Sequence, residues 1–465
     1  MRRLWAERAF LETGWARDVA VDVGEDGRVA AVTADTPARP GDECLAGRVL
    51  LPAPGNLHSH AFQRAVAGLT EVRSADGDSF WTWRRLMYDF LGRLTPDHIQ
   101  AIAAMVQVEM LEAGYAAVGE FHYVHHQAGG EPYADRAETA ARICAAAAET
   151  GMGLTLLPVL YTYGGTDQRP LEGGQLRFRN DRDGFAALME SARRAVDAGP
   201  RDWVLGMAPH SLRAVTPDLL SGAVSDHGPD SRGGPIHIHI AEQTREVVEV
   251  EAWLGARPVA WLLGNQPVDD RWCLVHATHM EPAETEGLAR SGAVAGLCPI
   301  TEADLGDGLF DGPRFLAAGG AFGIGSDSNV RIALAEELRL LEYGQRLRDR
   351  ARNVLAPGPG SVGRSLFRGA LAGGARALGR DAGVLAPGRW ADLVAIDGDA
   401  TALHGLDGDV LLDAWIFAAD DRVVRDVWSA GRHVVRQGRH RRRDAVEAAF
   451  RAALVDLRAD PRADP

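Results

Sequence analysis

Apolar runs that could form β-strands alternate with helical stretches between about residue 50 and residue 335. The runs lie at 48–57, 115–121, 153–161, 202–208, 235–241, 271–276, 292–298 and 320–326. In one clear connection, Thr95 can cap a helix that Pro96 opens and Gly114 ends. Strands that alternate with helices form parallel sheets, and this number of strands favours a closed barrel over an open sheet. The pattern therefore predicts an α/β fold built on a (β/α)8 TIM-type barrel.

Short strand-like segments also lie at both ends of the chain. Residues 19–23 and 28–32 flank a turn at Asp26 and Gly27, a pair that favours a β-hairpin. So few strands cannot bury a core alone. The β-like segments after residue 383 could supply partners, and we expect the two sets to form one small β-sandwich domain.

These patterns divide the chain into three predicted units. The units are a small β domain at 1–50 plus 383–440, a (β/α)8 barrel at 51–382, and a C-terminal helix and tail at 441–465. Asp444 and Glu447 have the spacing of a capping box, so we expect the last helix to begin there.

The overall charge narrows the range of partners. The 465 residues carry a formal net charge of −14, and this negative field disfavours nucleic acid and anionic membrane surfaces. No apolar run approaches the ~20 residues of a membrane span, and no signal peptide is visible. We therefore expect a cytoplasmic protein that acts on a small molecule.

All 50 basic residues are arginine, and lysine is absent. This composition excludes any mechanism that needs a lysine Schiff base or a lysine nucleophile. It also excludes a carbamylated lysine that bridges two metal ions. A metal-dependent barrel with this composition is therefore expected to hold one ion.

Several potential metal ligands lack suitable neighbours in the sequence. The cysteines are scattered and form no CxxC pair, so no structural zinc site is indicated. Their positions are Cys44, Cys144, Cys273 and Cys298. His125 and His126 share a loop that has no matching ligands, and we interpret both as solvated.

Histidines and one acid follow the predicted strands at separate places in the chain. His58 and His60 close the first run, His239 closes the fifth, and Asp327 closes the last. His58 and His60 alone would fit two polar loop residues equally well, but the agreement of several strand ends favours a metal site. Imidazole and carboxylate are ligands for a borderline divalent ion, and barrels build active sites at one set of strand ends. His237 alternates with His239 and is interpreted as a barrel-interior histidine that bonds to neighbours.

Three residues near the predicted ligands could handle protons. Glu242 lies three residues after His239 and could exchange a proton with a bound substrate, or it could be an acid favoured by a helix dipole. Asp327 could take a proton from water as well as bind the ion, or it could cap the next helix. His276 closes the sixth run and could stabilise charge that develops on the reacting centre.

Polar residues after other strands are candidate substrate contacts. Arg213 follows the fourth run with His210 and could hold a carboxylate bidentately, although such an arginine is often only solvated. Arg84 lies in an aromatic stretch that could form an active-site wall or a packed surface helix. Gln63 and Tyr123 lie close after the first and second runs and are plausible polar contacts.

These motifs resemble the amidohydrolase superfamily, and the resemblance covers nearly the whole chain. The shared features are the HxH pair at 58–60, the histidines after the fifth and sixth strands, the aspartate after the eighth, and the return segment at 385–394. Within the superfamily, the stretches at 56–64, 80–84, 119–123, 210–213 and 237–243 are similar to the formimidoylglutamate deiminase family.

The resemblance implies a fold, an activity and a set of site residues. It implies hydrolysis of N-formimino-L-glutamate to N-formyl-L-glutamate and ammonia in histidine degradation, and a homodimer. It implies one zinc ion on His58, His60, His239 and Asp327, although iron or manganese could occupy similar ligands. The implied substrate contacts are Gln63, Arg84, Tyr123, His210 and Arg213.

Two alternatives remain at this point. The same scaffold could deaminate a purine or another heterocycle, which would not need two arginines for two carboxylates. A barrel that binds a ligand without catalysis is the second alternative. The full set of predicted ligands, with Glu242 and His276, argues against the second.

Overall fold

A computed structural model describes residues 1–69, 71, 87–88, 90–227 and 233–459 of the chain. Its strands are β1 (Arg2–Leu11), β2 (Gly14–Val23), β3 (Val29–Thr33), β4 (Glu43–Cys44), β5 (Arg48–Pro52), β6 (Gly55–Ser59), β7 (Ala117–His122), β8 (Gly153–Leu160), β9 (Val204–Leu205), β10 (Ala208–Pro209), β11 (Ile236–Ile240), β12 (Trp272–His276), β13 (Val294–Leu297), β14 (Ala321–Ile324), β15 (Leu393–Asp397), β16 (Val424–Ser429), β17 (Arg432–Arg436) and β18 (Arg439–His440).

The helices of the described residues mostly separate the strands from β6 to β14. They are α1 (Pro96–Glu112), α2 (Glu138–Thr150), α3 (Arg182–Asp197), α4 (Pro217–Asp226), α5 (Thr244–Leu254), α6 (Pro258–Asn265), α7 (Pro282–Ser291), α8 (Pro299–Leu305), α9 (Gly312–Ala317), α10 (Leu334–Asp349), α11 (Val362–Ala377), α12 (Asp409–Ala418) and α13 (Arg443–Arg458). Short 3₁₀ helices span Ala61–Val66, Gly173–Phe178 and Asp421–Val423. Among the helices of the described ranges, none combines the length and apolar character needed to cross a membrane.

The strands from β6 to β14 close into a parallel barrel. One sheet has the order β10-β8-β7-β6 with β9 beside β8, and the other has the order β11-β12-β13-β14. Backbone hydrogen bonds join the two sheets at both edges. At one edge the His237 amide donates to the Met207 carbonyl at 3.0 Å, and at the other the Asp327 amide donates to the His58 carbonyl at 2.9 Å. The barrel predicted from the alternating pattern is confirmed.

Strands from both ends of the chain share a second, mixed sheet. Its order is β18-β17-β16-β15-β5-β1-β2-β3, with β4 beside β1. The antiparallel pairing of β5 with β15 joins the N-terminal strands to the C-terminal strands. Leu4, Val21, Leu50, Leu393 and Trp428 belong to a core that this sheet buries on one face. The chain ends therefore stabilise each other beside the barrel, as the sequence predicted.

Two predicted barrel strands differ in detail from the structure. The run at 48–57 is not one strand, because β5 lies in the mixed sheet and only β6 lies in the barrel. Proline cannot donate to a ladder, and Pro52 and Pro54 flank the point where the chain changes sheets. The run at 202–208 is also interrupted, since β9 and β10 are separate short strands around Gly206.

The first residues of two helices test the capping interactions that the sequence predicted. Thr95 caps α1 as predicted, because its Oγ1 accepts a hydrogen bond from the His98 amide at 3.2 Å. The predicted capping box of the last helix is wrong, since α13 begins at Arg443 and no side chain caps it. Glu447 pairs instead with Arg443 at 3.1 Å, one turn apart on the same helix.

The interpretation of His125 and His126 as solvated is wrong. Both side chains are buried, and the His125 Nε2 atom lies 3.0 Å from the Val159 carbonyl oxygen. The guanidinium of Arg177, also buried, donates to the His126 carbonyl at 2.8 Å and covers this loop. Burial lowers the pKa of His125 well below its usual value, so the ring stays neutral.

A buried arginine connects the barrel to the mixed sheet. Arg380 follows α11, and its guanidinium contacts Asp392 at 2.6 Å and Asp202 at 3.0 Å. Asp392 precedes β15 of the mixed sheet, whereas Asp202 precedes β9 of the barrel. Burial alone would lower the pKa of Arg380, but the two carboxylates raise it. Carboxylates from the barrel and from the mixed sheet therefore both stabilise the positive charge of Arg380.

Replacement of Arg380 by methionine should destabilise the protein strongly. The change leaves Asp392 buried without its cationic partner, and breaking a buried pair costs about 3–5 kcal/mol. Chemical denaturation would measure the free energy of unfolding. The matched control is Arg422→Ala, which removes an exposed pair with Asp420 and should leave that free energy unchanged within error. Equal stability of the Arg380 variant and the parent would refute the role of this junction.

Candidate metal and catalytic site

The ends of barrel strands bring three imidazoles together. His58 and His60 lie at the end of β6, and His239 lies near the end of β11. Their Nε2 atoms are 3.2 Å apart for His58 and His60, 3.1 Å for His58 and His239, and 3.3 Å for His60 and His239. All three side chains are buried, so one small volume collects three ring nitrogens.

Hydrogen bonds on the far side of two rings fix the atoms that face this volume. The Nδ1 atom of His60 lies 3.0 Å from the Phe121 carbonyl, and the Nδ1 atom of His239 lies 3.2 Å from the His210 carbonyl. A carbonyl only accepts, so each Nδ1 must carry the hydrogen. In a neutral ring the Nε2 atom then presents a lone pair. Burial lowers the pKa of His60 to about 3, which keeps the ring neutral near pH 7.

Asp327 completes the group from the closing edge of the barrel. Its Oδ1 atom lies 3.3 Å from His60 Nε2 and 3.6 Å from His58 Nε2. Burial raises the pKa of Asp327 to about 7, against the opposing effect of His276. The residue follows β14 with a φ of 46°, a left-handed conformation that an aspartate tolerates better than a branched side chain.

This donor set fits a divalent metal ion. Lone pairs that face each other at about 3 Å repel one another, and a cation between them converts the repulsion into ligation. The three imidazole nitrogens and one carboxylate oxygen match the ligands of borderline ions such as zinc. The outer hydrogen bonds of His60 and His239 are the kind that orient histidine ligands. His237 does not join the group, because its Nε2 atom lies 2.7 Å from the Ala377 carbonyl, which confirms its interpretation as an interior residue.

His276 lies beside the ligand group, and its two ring nitrogens face three acids. Its Nε2 atom is 3.7 Å from Asp327 Oδ2 and 3.8 Å from Glu242 Oε1. Its Nδ1 atom is 3.3 Å from Glu302 Oε1. Burial acts to lower the pKa of His276, but Glu242, Glu302 and Asp327 overcome it and raise the pKa to about 10. The three carboxylates therefore favour the protonated form of His276.

Glu302 is a site residue that sequence reasoning missed. It lies in α8, directly after β13, and its Oε1 atom also accepts a hydrogen bond from the Cys298 amide at 2.9 Å. The seventh strand was predicted, but no histidine or acid stands at its very end. Glu302 lies four residues later, and no sequence motif marks it as a site residue. Acids in the first turn of the helix that follows a barrel strand are the candidates that would have included it.

Glu242 and Arg213 form a buried ion pair near the ligand group. The Arg213 guanidinium lies 3.4 Å from Glu242 Oε2 and 3.5 Å from Glu246 Oε2. Glu246 Oε1 accepts a hydrogen bond from the Ala241 amide at 3.0 Å and so braces the turn before Glu242. The alternative of a merely solvated Arg213 is wrong, because the side chain is buried.

One cavity is lined by members of the ligand group together with Arg213, Glu242 and His276. Predicted residues that line it are His60, Gln63, Tyr123, His210, Arg213, His239, Glu242, His276 and Asp327. His58 lies behind this surface among the other ligands. Gln63 and Tyr123 meet in its wall, since the Gln63 amide donates to the Tyr123 hydroxyl at 2.7 Å. Arg84 lies outside the described residues.

The cavity wall also contains residues that were not predicted. They are Met87, Tyr88, Tyr161, Phe178, Thr301, Leu305 and Ser328. Tyr161 directly follows β8, so the strand-end rule that found the histidines could also have found this tyrosine. Phe178 lies in a 3₁₀ helix far from any strand end, and nothing in its local sequence marks it.

The wall near Glu242 is acidic. Asp307 is buried behind it, and burial and then Glu242 raise the pKa of Asp307 to about 8. The Gln243 side chain donates a hydrogen bond to Asp307, which ties the loop after Glu242 to the segment after α8. The Glu242 and Asp327 carboxylates line this part of the cavity, so a group that carries positive charge can approach them there, beside Arg213 and His276.

A barrel whose strand ends converge on metal-ligating imidazoles is typical of metal-dependent hydrolases. The chain belongs to the amidohydrolase family, which it matches over residues 49–434. Members of this family typically bind a divalent metal ion. Residues 1–46 match the family described as formimidoylglutamate deiminase HutF, N-terminal domain. The resemblance that the motifs indicated is confirmed.

Individual relatives agree with this assignment. A formimidoylglutamate deiminase of Pseudomonas aeruginosa is 52% identical over 458 residues, which cover 98% of this chain and 100% of that protein. A 5-methylthioadenosine/S-adenosylhomocysteine deaminase of Natronomonas pharaonis is 30% identical over 83% of this chain and 81% of that protein. The crystal structure of an amidohydrolase from Brucella melitensis has a TM-score of 0.93 and 50% identity, and covers 99% of this chain and 100% of that one.

Removal of one imidazole ligand should abolish tight metal binding. We expect His239→Ala to weaken zinc affinity by more than about 100-fold, since even lost outer partners cost 10- to 100-fold. Metal analysis after dialysis against a chelator would measure the bound ion. The control is His237→Gln on the same strand, whose amide can still donate to the Ala377 carbonyl and whose metal content should match the parent. Full metal retention by the His239 variant would contradict the ligand assignment.

Proposed function

We propose that the protein hydrolyses N-formimino-L-glutamate to N-formyl-L-glutamate and ammonia, a step of histidine degradation. The observation that carries the proposal is one cavity that holds a metal-ligating group, the Glu242–His276 pair and the buried Arg213. The similarity to a formimidoylglutamate deiminase over nearly the full length of both chains supports the same activity.

We further propose that the ion is a single zinc, held by His58, His60, His239 and Asp327. Imidazole nitrogen and carboxylate oxygen are ligand atoms that zinc accepts, and water could approach the ion from the cavity as a further ligand. A bound ion of this kind would supply Lewis acidity, which makes water acidic enough to lose a proton near neutral pH. The absence of lysine supports one ion, because no carbamylated lysine is available to bridge two.

The substrate carries its formimino group on the α-nitrogen, one carboxylate on the adjacent α-carbon and a second carboxylate at the far end of the side chain. Arg213, which lies beside Glu242, would bind one carboxylate, and Arg84 is proposed for the second. Gln63, Tyr123 and His210 would contact the carboxylates as polar wall residues. The acidic wall near Glu242 would receive the cationic formimino nitrogen. This orientation puts the carbon to be attacked beside the ligand group.

Proton transfers can be assigned to named atoms. Asp327 would accept a proton from the attacking water on Oδ2, the atom that lies 3.7 Å from His276 Nε2. His276 would donate a hydrogen bond from Nε2 to the oxygen that water adds to the tetrahedral carbon. Glu242 would carry the proton taken from water to the terminal nitrogen. The carbon–nitrogen bond then breaks, ammonia leaves, and the added hydroxyl gives its remaining proton to the Glu242 carboxylate and becomes the formyl oxygen.

Glu302 would act through His276. Its contact with Nδ1 keeps the hydrogen on that atom and turns Nε2 toward the reacting carbon. The Cys298 amide holds Glu302 in place from the backbone. This arrangement is the familiar one in which a carboxylate fixes the orientation of a catalytic imidazole.

We also propose a cytoplasmic homodimer. Four unpaired cysteines suit a reducing compartment. Leu309, Tyr343 and Leu347 are large apolar side chains with exposed surface, and Leu309 packs close to Gly344 of α10, so they form one candidate subunit contact. Light scattering of the purified protein would determine the oligomeric state.

The purified, metal-loaded protein should release ammonia from N-formimino-L-glutamate in preference to ring substrates. We expect kcat/KM for this substrate to exceed that for S-adenosylhomocysteine or guanine by roughly 1,000-fold or more, since buried polar groups reject partners that leave them unpaired. A coupled ammonia assay would measure each rate. Asp327→Asn should lower kcat by roughly 100- to 10,000-fold, as expected for a lost acid–base group. Faster turnover of a heterocycle would replace the proposal by ring deamination.

Replacement of Arg213 by alanine should weaken the use of dicarboxylate substrates. Loss of a buried charged partner costs about 2–4 kcal/mol, or roughly 30- to 1,000-fold in kcat/KM. A formimino substrate that lacks both carboxylates should be much less affected. The control is Arg182→Ala, which removes an exposed pair with Asp226 outside the cavity. An unchanged kcat/KM for N-formimino-L-glutamate in the Arg213 variant would show that the arginine does not bind the substrate.

A further inference from the structure

The edge where the barrel closes has little backbone pairing. β11 and β12 form a continuous parallel ladder from Ile236 and Trp272 onward. In contrast, the described residues of β6 and the segment after β14 meet through an isolated bridge between Ser59 and Asp327. The predicted metal ligands His58, His60 and Asp327 lie on the two segments that this bridge joins. Two backbone hydrogen bonds of 2.9 Å make this bridge, from the Asp327 amide to the His58 carbonyl and from the His60 amide to the Asp327 carbonyl, and no ladder among the described residues continues it.

Side chains supply the missing connections on one side of the closing edge. Asn56 contacts the segment after β14 twice, since its Nδ2 donates to Ser326 Oγ at 2.6 Å and its Oδ1 accepts from the Ser326 amide at 3.1 Å. The Ser326 hydroxyl then donates to Asn329 Oδ1 at 2.6 Å. Asn56 precedes His58 by two residues, and Ser326 directly precedes Asp327.

A second set of hydrogen bonds joins the segment after β14 to β6 through Asn329. Asn329 Nδ2 donates to Ser59 Oγ at 3.1 Å and to the Asp327 carbonyl at 3.0 Å. Ser59 is hydrogen-bonded in turn to Glu120 of β7, whose Oε1 also accepts from the Ala61 amide at 2.8 Å. Asn329 adopts a φ of 55°, which turns its amide back toward β6.

The chain of bonds Asn56–Ser326–Asn329–Ser59–Glu120 is buried along its whole length. Each hydroxyl in it accepts one bond and donates one, so the directions are mutually consistent. Removal of one member therefore leaves its neighbours unsatisfied and lets the two ligand-bearing segments shift.

We propose that Asn56, Ser326 and Asn329 are positioning residues that set the distance between the Asp327 carboxylate and the histidines of β6, and thereby determine metal affinity. Two of its links cross between the two ligand-bearing segments, from Asn56 to Ser326 and from Asn329 to Ser59. Asn329 bonds to both segments at once through a single nitrogen. The inference rests on the proposed metal site and is independent of the proposed substrate.

A purely structural role makes a different prediction. If the bonds only stabilised the closing edge, a variant would unfold more easily but would bind the ion as tightly as the parent once folded. A positioning role requires weaker binding by the folded protein. Zinc affinity and the stability of the metal-free protein must therefore be measured on the same variants.

The experiment compares Ser326→Ala with Thr155→Val in the full-length protein. Both changes remove one buried hydroxyl, and Thr155 Oγ1 donates to the Leu378 carbonyl at 2.8 Å, away from the ligands. Competition with a chromophoric chelator gives the zinc Kd, and chemical denaturation gives the stability of the metal-free protein. We expect Ser326→Ala to raise the Kd by 10- to 100-fold, as for other outer partners of metal ligands, and Thr155→Val to leave it within about twofold.

Asn329→Gly is the second variant, in case Ser326→Ala does not fold. Glycine tolerates the positive φ and removes the bonds to Ser59 and Asp327. A Kd within about twofold of the parent in either folded variant would overturn the proposal. Failure of the parent to release ammonia, with tight zinc binding intact, would instead count against the proposed reaction alone.

Discussion

The repulsion between buried imidazole lone pairs is the constraint on which the site depends. His60 and His239 each donate from Nδ1 to a backbone carbonyl, so their Nε2 atoms face each other without a hydrogen between them. A cation between these atoms makes the arrangement favourable. The barrel holds these rings in place before any ion arrives, because their carbonyl partners belong to neighbouring strands and strand ends.

The rest of the site follows from where strands end. Parallel strands deliver their carboxyl ends to one rim, so residues far apart in the chain meet there. Glu242 and His276 follow neighbouring strands and therefore share the cavity with the ligands. Arg213 enters from the strand before them and pairs with Glu242. One geometric rule thus brings together the residues proposed for ion binding, proton transfer and anion binding.

The sequence predicted the features that depend on hydrophobic periodicity. It did not predict those that depend on tertiary contacts. The predicted ligands His58, His239 and Asp327 stand out in the sequence because each closes an apolar run. Glu302 was missed, since an acid at the start of a helix is common and only its contact with His276 gives it meaning. The burial of His125 was missed for the same reason, as its partner is a backbone carbonyl on another strand. Arg84 lies outside the described residues and stays a prediction.

Several strands leave the barrel through left-handed residues, including Asp327 and Asn329 after the last strand and His276 at the end of the sixth. Conformations of this kind cost of order 1–3 kcal/mol each and persist only when the surroundings enforce them. The rest of the fold therefore keeps these rim residues in strained backbone conformations. Laboratory evolution for heat resistance should therefore find its beneficial changes far from the rim. Changes that relax these turns would remove strain, but they would also move the side chains of the site out of position.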